Sequence, residues 1–280
     1  MQLKALLTEA TDFLNEAGVQ SPKVDAELLL CYVLNCTRNE LQLKLIMGTN
    51  MVLAQQQKFQ DLLVQRANNI PVQHLTGKAP FRYLELLVGA GVFIPRPETE
   101  LLVEIAMSHF KADSMVVDLC AGSGAIAASI ATEIPNTEVY AVELSKKALP
   151  YLIENTKNLT VNVVQGDFNT ALPDLGSRVD VLLSNPPYVP ETDVPKTVEV
   201  AKFDPQLALY GGNPDGTKIP KQVIKRAEFL LKPGGFFAME HAETQQDYLT
   251  ELLVGSGNWK KVEKHNDLTG RPRFVSAIKS

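Results

Sequence analysis

Between Met115 and Glu240, short β-rich runs alternate with helical patterns, and few architectures accommodate that alternation. The strands read as Met115–Leu119, Glu138–Val142, Val161–Gln165, Val179–Ser184 and Gly235–Glu240. Helical patterns near Ala125–Thr132, Ser145–Lys157, Lys218–Leu231 and Thr244–Val254 lie between or after them. Two further strands, Trp259–His265 and Arg273–Ile278, close the chain. Alternation of this kind implies an α/β fold, with a mostly parallel seven-stranded sheet covered on both faces and ligands at the carboxyl ends of its strands.

The first seventy residues have a different period. Leu3, Leu6, Leu7, Ala10, Phe13, Leu14 and Ala17 share one helical face that Gly18 ends. Ser21-Pro22 combines a capping hydroxyl with a proline at the first helical position, and Val24, Leu28, Leu29 and Tyr32 continue that helix. Arg38–Met47 and Val52–Ala67 read as two more. A small all-helical N-terminal domain is therefore expected over 1–75. From Pro71 the pattern changes, and Phe81–Val88 and Val92–Ile94 flank Gly89-Ala90-Gly91 as a hairpin would. This gives a hairpin linker at 76–97 and an α/β domain over 98–280.

Charge narrows the function. The 280-residue chain carries 27 Lys plus Arg against 32 Asp plus Glu, a formal charge of -5. Residues 1–75 hold six basic and seven acidic side chains, leaving 21 and 25 for the rest, so no basic arm is concealed in the average. Stable nucleic-acid binding, which relies on neutralising phosphates, is not expected. The three cysteines, Cys31, Cys36 and Cys120, have no zinc-site spacing and the four histidines are scattered, so a reducing cytoplasmic compartment and no metal are expected. The N-terminus lacks the apolar core of a signal peptide, and no apolar run approaches the ~20 residues that span a bilayer.

The first strand of the α/β region ends in Asp118-Leu119-Cys120-Ala121-Gly122-Ser123-Gly124. Gly122 and Gly124 remove side chains where the backbone turns sharply into a helix and a ligand must approach. Glu143 ends the second strand about 20 residues on, where a carboxylate accepts hydrogen bonds from ribose hydroxyls. The pair fits NAD and equally fits S-adenosyl-L-methionine. Two details favour the latter. Asp118 precedes the glycines, where it can face the ligand's ammonium or order the loop, and a pyrophosphate would gain nothing from it. Asp167-Phe168 supplies an acceptor for an adenine amino group beside an apolar face for the ring.

The fourth strand runs directly into Asn185-Pro186-Pro187-Tyr188. Two consecutive prolines continue neither a ladder nor a helix, so the strand stops in a stiff turn. A carbonyl held by that turn, together with the Asn185 side-chain oxygen, makes two acceptors for the two donors of a planar NH2 group. Tyr188 can hold the flat group that carries the nitrogen. A conjugated NH2 nitrogen is a weak nucleophile, and accepting both its hydrogens enriches it and aligns it with a sulfonium methyl. Once methylated it is cationic and acidic, so a general base is dispensable. Asn185, Pro186 and Tyr188 are the expected catalytic positions.

The strand–Asn-Pro-Pro-Tyr element resembles the amino-methyltransferases, which include adenine-N6 and glutamine-N5 enzymes. Further blocks resemble the HemK/PrmC family: Pro71-Val72-Gln73-His74-Leu75-Thr76-Gly77, Phe93-Ile94-Pro95-Arg96-Pro97-Glu98-Thr99-Glu100, Phe203–Gly212 with Asp215-Gly216, and Asp267–Phe274. The resemblance spans nearly the whole chain, and it implies a Rossmann-like methyltransferase sheet using S-adenosyl-L-methionine. It implies a protein substrate, the glutamine of the Gly-Gly-Gln loop of peptide chain release factors. Carried over residue by residue, the loop Cys120, Ala121, Gly122, Ser123, Gly124, with Glu143, Phe168 and Asn185, would contact the cofactor. Asn185, Pro186, Pro187 and Tyr188 would hold the glutamine amide. Arg96 and Glu98 are expected both to start a helix and to line the substrate mouth. The chain departs from the family pattern at His74, Cys120-Ala121, Phe168 and His241, and His241 is expected to be structural. A monomer is expected. Rival readings are an adenine-N6 nucleic-acid enzyme, a non-catalytic release-factor-binding protein, and an NAD dehydrogenase if the glycine loop is read alone.

Overall fold

The structure is a computed structural model that describes residues 2–194 and 197–280. The chain divides into two compact units, and the division falls between Lys78 and Ala79. Residues 197–203, far along the chain, belong with the first unit.

The first unit is helical: α1 (Leu3–Glu16), α2 (Pro22–Leu34), α3 (Arg38–Ile46), α4 (Leu53–Ala67) and α5 (Val72–Thr76). Pro22 opens α2 at the first helical position, although the Ser21 hydroxyl makes no capping bond. Thr37 and Glu40 form a reciprocal capping box that starts α3, satisfying amides the helix leaves unpaired. Leu3, Leu6, Leu7, Ala10 and Leu14 pack with Leu29, Leu30, Phe59 and Leu63 into one core, while Phe13 stays exposed.

The second unit begins at Ala79, inside a two-stranded sheet of β1 (Lys78–Phe81) and β2 (Leu84–Leu87). The expected hairpin turn at Gly89–Gly91 is thus displaced to Arg82-Tyr83. Arg82 adopts a left-handed φ of 50°, and the surroundings hold it there. Its backbone N–H donates to Glu100 at 3.0 Å and its guanidinium donates to Glu133 at 2.6 Å and to Glu104 at 3.2 Å. Gly89 and Gly91 serve close packing instead, because a Cβ on them would strike Tyr151 Oη at 2.4 Å and Lys147 Cβ at 2.9 Å.

Then come α6 (Glu100–Ala106), β3 (Met115–Leu119), α7 (Ala125–Glu133), β4 (Glu138–Glu143), α8 (Leu149–Thr156), β5 (Val161–Gln165) and β6 (Val179–Ser184). After α9 (Val198–Phe203), which belongs to the helical unit, follow α10 (Gln206–Leu209), α11 (Lys218–Leu230), β7 (Leu231–Glu240), α12 (Gln246–Gly255), β8 (Trp259–Asn266) and β9 (Pro272–Lys279). The seven-stranded sheet has the order β5-β4-β3-β6-β7-β9-β8, parallel except for β9, which runs antiparallel to both its neighbours. Side chains alternate between two cores, as a sheet covered on both faces requires. Val116, Ala141, Leu183 and Phe236 pack on one side with α6 and α7, and Val117, Leu182, Phe237 and Met239 on the other with α11 and α12.

Chain order reverses at β3, which is flanked by β4 on one side and β6 on the other. Such a reversal opens a crevice at the carboxyl ends of the two central strands. Leu119 pairs with Ser184, and the Ser184 hydroxyl donates to the Leu119 carbonyl at 2.7 Å. Cys120 and Asn185 therefore leave adjacent strands at the same level.

Candidate active site

Within the second unit, a cavity opens over those strand ends. Cys120, Ala121, Gly122 and Ser123 line one wall, Glu143, Leu144 and Phe168 another, and Asn185, Pro187 and Tyr188 a third. Gly122 has φ +57°, and a Cβ on it would meet no protein atom within 4 Å, so the loop leaves room beside its backbone. The tight turn depends on Glu143, whose two carboxylate oxygens accept from Gly122 N–H at 2.7 Å and Ser145 N–H at 2.6 Å. Burial raises its pKa, and the backbone donors pull it back. A carboxylate has about four acceptor positions, so Glu143 retains capacity for ribose hydroxyls. With Phe168, Leu144 and Ala148 as an apolar surround, the donor set fits a ribose-bearing, adenine-bearing ligand.

Several expected residues lie off this cavity. Asp118 is fully buried, and its Oδ2 accepts from Ala127 N–H at 3.1 Å in the first turn of α7. It orders the loop-to-helix junction. Gly124 lies beneath the loop, where a Cβ would come within 2.6 Å of Leu152. Asp167 is exposed and closes its own turn, accepting from Asn169 N–H at 2.8 Å. Pro186 is buried behind the turn. Arg96 pairs with Asp204, its guanidinium 4.8 Å from the Phe93 ring centre, and Glu98 is exposed in the helical turn before α6. His241 is buried in the interior, its Nδ1 donating to the Ala242 carbonyl at 2.8 Å, and it does not line the cavity.

The Asn185–Tyr188 turn is clamped by a distant block. Tyr188 and Val189 N–H groups donate to the Leu209 carbonyl at 3.1 and 2.8 Å, and Gly211 N–H donates to the Val189 carbonyl at 3.0 Å. Gln245 Nε2 donates to the Tyr188 carbonyl at 2.9 Å. Three positions at the site escape a reading of the sequence. Thr99 lines the cavity, while Glu240 and Gln245 are buried beside it. Glu240 had a signal, since it ends the strand next to β6. Thr99, an uncharged residue between two acids, had none.

Two family models match successive parts of the chain. Residues 5–77 match the PrmC N-terminal domain and residues 86–203 the methyltransferase small domain. A release factor glutamine methyltransferase of Bifidobacterium longum is 40% identical over 294 residues, covering 99% of this chain and 100% of that protein. The chain belongs to the release factor glutamine methyltransferase family. The Streptomyces coelicolor member is 41% identical over 283 residues, covering 99% of this chain and 98% of its own. The solved ribosomal protein L11 methylase of Lactobacillus delbrueckii subsp. bulgaricus is 15% identical, with a TM-score of 0.47 over 68% of this chain and 80% of that one. Membership makes this chain a methyltransferase that takes its methyl group from S-adenosylmethionine. No group of side chains that could hold a metal occurs among the described residues, and no helix among them is long and apolar enough to cross a membrane.

Proposed function

We propose that this chain methylates the side-chain amide nitrogen of the glutamine in the Gly-Gly-Gln loop of peptide chain release factors. The observation that carries the reading is the β3–β6 register, which brings the Cys120–Gly124 loop and the Asn185–Tyr188 turn to one cavity with Glu143. Bound there, S-adenosylmethionine supplies an electrophilic methyl. Glu143 takes the ribose, Phe168 flanks the adenine, and the loop backbone takes the methionine end. Asn185 Oδ1 accepts no hydrogen bond among the described residues, and it receives an amide hydrogen of the glutamine at the cavity wall. Doing so localises the nitrogen lone pair and fixes its direction of attack. Water suffices to take the acidic proton afterwards. Asp118 and Gly124 support the loop from behind, and Arg96 with Glu98 guards the approach to the cavity.

The helical domain, which we take as 1–75 joined through 76–97 to the catalytic 98–280, recognises the protein partner. The net charge of -5 supports a protein over a nucleic-acid substrate. Cys31, Cys36 and Cys120 are free thiols, which suits a reducing cytoplasm, and we take the chain to act there as a monomer.

Labelled-methyl transfer tests the proposal, with a release factor, its Gln-to-Ala loop variant and an oligonucleotide as acceptors. The expected label sits on the loop glutamine by mass spectrometry and vanishes with the Gln-to-Ala acceptor. Asn185→Ala should lower kcat roughly 10²–10³-fold, the loss typical of removing one preorganised polar group from a reacting centre. Label on the oligonucleotide instead, or full activity in Asn185→Ala, would refute it.

A further inference from the structure

An Asn side chain can present either its oxygen or its NH2 to a ligand, and the hydrogen bonds around it decide which. At Asn185 that decision is made one residue behind the cavity surface, at Glu240. Glu240 is 2% exposed, and its two carboxylate oxygens accept from the Thr99 hydroxyl at 2.7 Å and the Tyr188 hydroxyl at 2.8 Å. The Thr99 hydroxyl has one proton and gives it to Glu240. Toward Asn185, 3.1 Å away, Thr99 Oγ1 can therefore only accept, and it accepts from Nδ2. Were the Asn185 amide reversed, its Oδ1 would face an oxygen with no proton left to give.

We propose that Glu240 is a positioning residue for methyl transfer: relayed through Thr99, its carboxylate fixes the Asn185 amide so that Oδ1 faces the reacting nitrogen, and through Tyr188 it fixes the adjoining phenol. The inference rests on the function proposed above, since it concerns what Asn185 offers to the glutamine NH2. A reversed Asn185 would present two donors to two donors, which repels the substrate amide instead of aligning it. Glu240 can serve only while ionised. Burial raises its pKa, and Glu98 adds to the rise, while Thr99, Tyr188 and Arg273 lower it. As pH falls through that raised value Glu240 gains a proton of its own, the direction of the relay is lost, and kcat should fall with it.

Thr99→Val keeps the shape and removes the relay; Thr99→Ser keeps the relay. Glu240→Gln gives Thr99 or Tyr188 a donor where each now finds an acceptor. On a release factor, Thr99→Val and Glu240→Gln should each lower kcat about 10–100-fold, the usual cost of losing a partner that orients a reacting group. The dissociation constant for S-adenosylmethionine, measured by calorimetry, should change far less than kcat, because neither change touches the Glu143 or Gly122 contacts. Thr99→Ser should recover most of the loss, and the acid limb of the kcat profile should disappear in Glu240→Gln while Asp118 and Glu143 still titrate. Parental kcat in Thr99→Val, an unaltered acid limb in Glu240→Gln, or cofactor affinity falling in step with kcat overturns the inference. A parent protein that methylates no glutamine overturns the proposed function instead, and this inference with it.

Discussion

Asp118 shows how far a single side chain can be read before its surroundings are known. Its place before the glycines offered two roles, ligand contact or loop ordering, and the sequence does not separate them because both need a carboxylate at one strand end. Burial separates them: Oδ2 bonds the first turn of α7, and Oδ1 has no hydrogen-bond partner among the described residues. Desolvation pushes the carboxyl up to about 8, with the Ala127 amide acting in the opposite direction. A folded pKa above the unfolded one means that the native protein holds a proton which unfolding releases. The stability this confers is complete below about pH 4 and is lost as pH rises through about 8, at up to ~1.4 kcal/mol per pH unit. Asp25, Glu143 and Glu240 share that sign, and Asp267, held down to about 2, has the opposite sign at lower pH. The difference between parent and Asp118→Asn isolates one group. Denaturant unfolding from pH 5 to 9 should show the variant gaining on the parent as pH rises. Parallel curves would mean that Asp118 is ionised throughout. Cys120 is the reverse case, illegible from the sequence because a cysteine gives no sign that its φ is +64°.

Among the elements, the central strands β3 and β6 are legible to the residue because their apolar runs are buried and turn residues bound them, whereas β7 begins at Leu231, four residues before the expected Gly235. The hairpin is not. Its true turn contains no glycine, and the acids that hold Arg82 lie 18 to 51 residues away. The clamp on the Asn185–Tyr188 turn is equally non-local. Asn-Pro-Pro-Tyr announces a stiff turn, yet what fixes it is the 209–216 block. A Cβ on Gly211 would lie 1.9 Å from the Gly216 carbonyl oxygen and 2.9 Å from Tyr188 Cα. Gly211 has no left-handed φ, so backbone strain plays no part, and Gly211→Ala acts by displacement alone. Moving the Tyr188 backbone by about 1 Å should cost on the order of 10²-fold in kcat. Cofactor affinity should hold, since Gly211 is remote in sequence and pairing from the Gly122–Glu143 turn. Undiminished turnover in this variant would show that the turn keeps its geometry without the clamp.

For the whole molecule, the change of period near residue 71 separates helical from α/β sequence, but it does not reveal that the chain re-enters the helical unit at 197–203. A six-residue helix such as α9 carries too little pattern to say where it packs. The contact that ties it there joins residues 133 apart: Arg66 donates to Glu199 and, at 2.7 Å, to Asp25. The Arg66 side chain is 4% exposed and that of Asp25 10%. Burial raises the Asp25 pKa even against the adjacent guanidinium, so the pair costs desolvation on both sides. Removing one partner strands the other. Arg66→Met should therefore destabilise the helical unit by about 3–5 kcal/mol, whereas Asp25→Leu with Arg66→Met should recover most of that, because an apolar pair has no charge to strand. The two variants make α9 informative. Hydrogen exchange should show α1–α5 deprotected in the single variant and protected again in the double one, while the amides of 197–203 stay fast in both, having lost their cation in both. If 197–203 regains protection in the double variant, apolar packing anchors α9 and the Arg66–Glu199 pair does not.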